Sequence, residues 1–213
     1  MRRSAGGRVM SGERKQGFWV TAARLAALAF GAFALALVCI HFTREHGRVA
    51  AIWPGNALIL AVLLRLSPRL WAAYIAAGLA GYVAANLTLG DTPASALILA
   101  ACNGVEVLIA ALLCRGTIGP RLDVTRPREL ATLAAAAATA PLASAFVAQA
   151  ILPDTTGEVF VRWYLADALG LLLVTPALLT LAGDFGSLKR VVRTPASLGP
   201  LVALMAAFIV VFG

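Results

Sequence analysis

The sequence predicts an all-α integral membrane protein, a polytopic helical bundle, and three observations carry that prediction. Hydrophobic residues make up 61% of the 213-residue chain and charged residues only 13%, where soluble domains average about 25% charged. Apolar runs near the ~20 residues that cross a bilayer recur between turn signals: Ser67-Pro68-Arg69, Gly90-Asp91-Thr92-Pro93 and Pro153-Asp154. The basic residues gather in alternate connecting segments. A net charge of +8 distributed in that way is an orientation signal and not a nucleic-acid footprint. Cys39, Cys102 and Cys114 lie in apolar runs without C-x-x-C spacing, and His41 and His46 flank one helix end as plain loop residues commonly do. No disulfide framework, metal site or cofactor is expected.

Residues 1–17 are basic and glycine-containing and are expected to form a disordered cytoplasmic tail, with the membrane domain occupying 18–213. The first apolar run, 18–42, is longer than a signal-peptide core and contains Arg24, so it is a retained helix. Further spans are predicted at about 51–66, 70–89, 94–114, 129–152 and 161–183, and a seventh begins near residue 199. The second is short. The seventh would reach only about 22 Å at 1.5 Å per residue, against a hydrocarbon core about 30 Å thick. The expectation is therefore six complete transmembrane helices plus a truncated seventh, in a chain that continues beyond residue 213.

Orientation follows from Lys and Arg. The tail, the 65–69 turn and the 115–128 and 184–198 segments carry five, two, four and three of them, while the alternate segments carry only Arg44, Arg48 and Arg162. Fourteen against three predicts a cytoplasmic amino terminus.

Within that frame, polar residues converge on one depth. The second span opens with Trp53-Pro54-Gly55-Asn56, the fourth holds Asn103 and Glu106 three apart on one face, and the sixth holds Trp163 and Asp167 four apart on one face. Asn86 lies near the outer end of the third. Asn56, Asn86, Asn103 and Asp167 thus fall in the outer half, with Glu106 nearer the midplane. A carboxylate at a helix centre costs about 2.5–3.5 kcal/mol on insertion scales, so such groups face one another around an interior site. The asparagines also fit plain inter-helix hydrogen bonding, about 0.6 kcal/mol on average. Trp53 and Trp163 also fit an interfacial aromatic belt. Inter-helix glue does not need an ionisable group, so Asp167 and Glu106 are the strongest candidates for function. Neither has an obvious cation: Arg24 sits toward the cytoplasmic end and Arg162 points to another face than Asp167. A protonated donor in a hydrogen-bonded cluster makes pH or a small polar ligand the expected input. Pro54, Pro141 and Pro176 should each kink a span.

Taken in order and by helix, these motifs resemble the first class of membrane-associated sensor domains (MASE type), over about residues 40–213. The matching stretches are Trp53-Pro54-Gly55-Asn56, Asn103-Gly104-Val105-Glu106, the run from Trp163 through Asp167-Ala168-Leu169-Gly170 to Thr175-Pro176, and Asn86-Leu87. Two positions depart from the pattern: Ala72 follows Trp71 where family members often carry proline, and Tyr164 stands where tryptophan is common. The resemblance implies an input module of bacterial signalling proteins with roughly eight membrane helices, in the plasma (inner) membrane. A cytoplasmic output follows in cis: a diguanylate cyclase, a cyclic-di-GMP phosphodiesterase or a histidine kinase. Residues 1–213 contain no soluble domain, phosphoacceptor pattern or nucleotide-binding loop, so no catalytic activity is expected of them.

The leading expectation is a sensory membrane domain. Its ligand-binding or sensing residues would be Asp167, Glu106, Asn103, Asn56, Asn86, Trp53 and Trp163, and Pro54, Pro176 and Gly170 would be its hinges. Its partners would be the lipid bilayer, a small ligand or a proton, the output domain and a second copy of the chain. The alternatives are a secondary transporter or ion-coupled permease, and an anchor that tethers its output without sensing.

Overall fold

A computed structural model describes residues 5–43, 53–118, 126–151 and 157–183. The predicted seventh span, the basic 184–198 segment and Arg44, His46 and Arg48 lie outside the described residues.

Among the described residues every regular element is helical. In order they are α1 (Ala5–Thr43), α2 (Gly55–Leu63), a short 3₁₀ turn (Pro68–Leu70), α3 (Trp71–Thr88), α4 (Pro93–Ile118), α5 (Pro127–Ile151), α6 (Gly157–Leu169), a π turn (Gly170–Val174) and α7 (Thr175–Gly183). Five stretches are long and apolar enough to cross a membrane: Gly17–His41, Pro68–Thr88, Pro93–Thr117, Pro127–Ile151 and Gly157–Leu181. The burial pattern is that of a lipid-embedded bundle. Phe30, Leu97, Phe146 and Leu173 are each 60% exposed or more, whereas Asn56, Glu106 and Ser144 are fully buried. In hydrocarbon, polar groups turn inward and apolar ones face out.

Two expectations are corrected. Residues 5–17, read as a disordered tail, continue α1; once the apolar part of the helix is formed, extension through Arg, Glu, Lys and Gln adds one bond per residue without a new nucleus. The second predicted crossing is a nine-residue helix, about 14 Å long at 1.5 Å per residue and too short to span alone. Seven of its nine residues are buried, and it is enclosed by α1, α3, α4, the π turn and α7. The indole of Trp71 closes its far end by donating to the Leu63 carbonyl (3.0 Å).

Local chemistry explains the helix ends. α3 stops at Gly90, whose φ of 88° only glycine adopts freely. The Gly90 N–H donates to Leu87 and the Asp91 N–H to Asn86, the paired C-terminal bonds of a Schellman motif. Thr92 then caps α4 by accepting from the Ser95 N–H (3.2 Å), with Pro93 in the first helical position. Pro176 explains the π turn: it has no N–H, and its ring crowds the Leu172 carbonyl, so the preceding turn widens.

α1 and α3 are in close backbone contact at Gly81. A Cβ there would lie 2.3 Å from the Ala29 carbonyl oxygen and 2.8 Å from the Phe33 nitrogen, while a Cβ at Gly78 would meet side chain alone, Ile59 Cδ1 at 2.4 Å and Cγ1 at 2.8 Å. Backbone cannot step aside as a side-chain tip can. Gly81→Ala is expected to cost about 1–3 kcal/mol and Gly78→Ala less than about 1 kcal/mol, measured by unfolding from mild detergent into SDS. Equal costs would contradict this packing.

Candidate functional site

The site assembles where α2 begins. Trp53 and Pro54 precede that helix, so Pro54 is its N-cap residue and not the kink within a span that was expected. Pro leads into a helix because its missing N–H would be unpaired in any case. Asn56, the second residue of α2, reaches across to α4 and donates to Asn103 Oδ1 (2.7 Å) and Glu106 Oε1 (2.8 Å). Its own oxygen accepts from the Tyr82 hydroxyl of α3 (3.1 Å). From α5, the Ser144 hydroxyl donates to Glu106 Oε2 (2.9 Å), and its oxygen accepts from the Trp163 indole of α6 (3.1 Å). The Asp167 carboxyl, also from α6, is buried in the same cluster and interacts with that of Glu106. Five helices thus contribute to one buried cluster.

Its electrostatics follow from what surrounds the carboxyls. No cation pairs with either among the described residues; Arg162 instead bonds Glu158 on the surface (2.8 Å). Two carboxyl groups can hydrogen-bond only if a proton lies between them, so the pair carries at most one negative charge when joined. From the start of α2 it is the Asn56 side chain that donates to Glu106, and Ser144 donates from α5.

Asn56, Asn103, Glu106, Trp163 and Asp167 come together in the cluster. Asn86 is one turn beyond Tyr82 and donates to the Tyr82 carbonyl (2.9 Å). Trp53 stacks edge-on against Tyr82 with ring centroids 5.2 Å apart. Both tryptophans are buried, Trp53 at 9% and Trp163 at 6% exposure, which corrects the interfacial-belt reading. Gly170 begins the π turn directly against the Trp53 backbone, where a Cβ would come 2.3 Å from the Trp53 oxygen. The Trp53 N–H donates to the Ala166 carbonyl in the same region (3.3 Å).

Tyr82 and Ser144 were not anticipated. Tyr82 could have been found, because it is four residues before Asn86 and so shares its face. Ser144 gave no signal, since serine is common at packed membrane interfaces. Thr175, at the end of the π turn, is also fully buried, and its hydroxyl meets no hydrogen-bond partner among the described residues.

The fold and the cluster define a multi-pass helical membrane protein with its polar chemistry turned into the bundle. The MASE1 family model matches residues 22–212. The chain belongs to the MASE1 family, and is thus a membrane sensory input domain of signalling proteins. Neither curated proteins nor solved structures gave a match.

Proposed function

We propose that this domain senses through the cluster around Glu106 and Asp167, where a ligand or a proton shifts the helix arrangement and so regulates a cytoplasmic output in cis. The observation that carries the reading is a carboxyl pair with no cation among the described residues, held by donors from α2 and α5 and buried inside the bundle. Buried ionisable groups in a membrane are costly and persist where they serve function. The cluster touches both α2 and the π turn through Trp53 and Gly170, so two interrupted elements can re-pack when it changes. The signalling activity resides in the output, and residues 1–213 act as regulator without catalysis of their own.

The inner membrane is the expected location, with the amino terminus in the cytoplasm and the cluster in the outer half. The fourteen-to-three distribution of Lys and Arg supports this orientation. Arg65 donates to the Leu179 carbonyl (2.8 Å) and brings the basic 65–69 turn to α7, so the two lie on one side of the bundle.

Asp167→Asn and Glu106→Gln are expected to insert normally and to change the output of the full-length protein by about 5-fold or more, the usual scale of allosteric coupling. Parent-like output from both variants would refute the site. A second reading, an ion-coupled permease, is favoured by one observation: a half-helix and a broken helix meet beside a buried carboxyl pair, as in transporters. Substrate counterflow in proteoliposomes, lost in Asp167→Asn, would support it.

A further inference from the structure

The cluster is closed. Asn56, Glu106 and Ser144 are completely buried and Asp167 is 3% exposed, so a proton is the input it can accept without opening.

Hydrogen-bond direction can be traced around the cluster from one fixed point. The Leu99 carbonyl can only accept, so Asn103 turns its amide nitrogen to it (2.8 Å) and its oxygen to Asn56. Asn56 must then donate to that oxygen, its second N–H goes to Glu106 Oε1, and its oxygen takes the Tyr82 proton. Glu106 Oε1 is thereby held as an acceptor. Oε2 is different, because it faces a hydroxyl with a choice. Ser144 has one proton and three neighbours: Glu106 Oε2 at 2.9 Å, the Pro141 carbonyl at 3.1 Å and the Trp163 indole at 3.1 Å. The indole always donates and the carbonyl always accepts. With Oε2 bare, the serine proton takes the shorter contact to Glu106, and the proton of the carboxyl pair sits on Asp167. With Oε2 protonated and its proton directed to the serine oxygen, Glu106 becomes the donor, and the serine proton turns to the Pro141 carbonyl.

We infer that Ser144 is a proton-driven hydrogen-bond switch joining the Glu106–Asp167 pair to the turn of α5 that holds Pro141. The inference rests on the cluster being the sensing site, and it names the input and the moving part. The step takes up one proton from the aqueous phase on acidification: the pair goes from one proton to two, the added one resides on Glu106 Oε2, and the serine proton only changes acceptor. A serine hydroxyl bonded to a carbonyl one turn back bends a helix. Pro141 has already removed the N–H that the Ala137 carbonyl would have received, so this turn resists bending least. α5 packs on α4, α6 and the π turn, which carries the bend to the interrupted helix. The titratable side chains facing the pair are Cys102 of α4 and Tyr82 of α3, with Cys39 of α1 behind Tyr82. Among the described residues, α2, α5, the π turn and α7 bring no ionisable group to it.

The test is infrared difference spectroscopy on acidification, with output measured in parallel, using the full-length protein in membranes. The parent should gain a protonated-carboxyl band that is absent from Glu106→Gln. Ser144→Ala should shift that band to higher frequency, because the acceptor is gone, and should lose most of the acid-dependent change in output. Ser144→Thr keeps the hydroxyl and should restore both. Glu106→Gln places a permanent donor toward Ser144 and should hold output at its acid level at every pH; this variant decides the matter if Ser144→Ala does not accumulate. A parent-like band and response in Ser144→Ala, or a parent-like response in Glu106→Gln, would overturn the switch. A response to a solute at constant pH with no carboxyl band would overturn it in favour of a ligand. Should Asp167→Asn alter output while Ser144→Ala does not, the switch fails and the site stands. If Asp167→Asn, Glu106→Gln and Ser144→Ala all behave as the parent, both fail.

Discussion

Glu106→Ala is expected to lower stability by about 3–5 kcal/mol, the usual cost of removing one member of a buried polar pair. The reason lies in how many partners it serves. Asn56 and Ser144 would each lose an acceptor, and the Asp167 carboxyl would lose the only carboxyl partner it has among the described residues. A cavity would be added where a fully buried side chain had been. Water cannot enter a hydrocarbon-embedded bundle easily to repair those losses. Glu106→Gln preserves shape and one acceptor and should cost no more than about 1–2 kcal/mol. Unfolding from mild detergent into SDS, followed by tryptophan fluorescence, measures both, and Trp163 reports locally because its indole is bonded to Ser144. A loss below about 1 kcal/mol for Glu106→Ala would mean that the cluster is not formed.

The second large effect is at Gly170. Alanine normally stabilises a helix interior over glycine, by about 0.5–1 kcal/mol, so by propensity alone Gly170→Ala should help. Packing argues for the opposite sign. The new Cβ would sit 2.3 Å from the Trp53 oxygen and 2.9 Å from its carbonyl carbon, both backbone atoms. No rotamer relieves that contact, so either the start of α2 or the π turn must move, at an expected net cost of about 1–3 kcal/mol. The Trp53–Ala166 backbone bond should be lost with it. The same unfolding assay settles the sign, and a stabilised variant would rule out this approach of the two elements. Because Gly170 lies between the cluster and α7, the variant should also change output more than its stability loss alone predicts.

Much of this architecture was legible in the chain. Membrane residence and helicity follow from composition and from runs of local length, since hydrocarbon forces each backbone group to find its partner within its own segment. Helix ends are local too: Gly90, Thr92 and Pro93 mark their turn by residue type. Asn103 and Glu106, three apart, had to share a face, and their pairing with Asn56 follows once the helices are neighbours. The tryptophans were not decidable in this way. An indole is equally suited to the lipid interface and to a buried slot with one acceptor, and only the neighbouring Ser144 oxygen put Trp163 inside.

By itself, then, the sequence determined a multi-pass helical protein and the handful of polar side chains that must be hidden from lipid. Tertiary structure alone decided that α2 is a nine-residue plug and not a crossing, because its length is set by what encloses it. It alone brought Glu106 and Asp167 together, put Tyr82 and Ser144 beside them, and gave the serine proton two acceptors. The side-chain bonds between helices that build the cluster join residues 19 to 50 positions apart. At those separations no helical period relates one residue to another, and only the packing of one helix on the next sets which side chains meet.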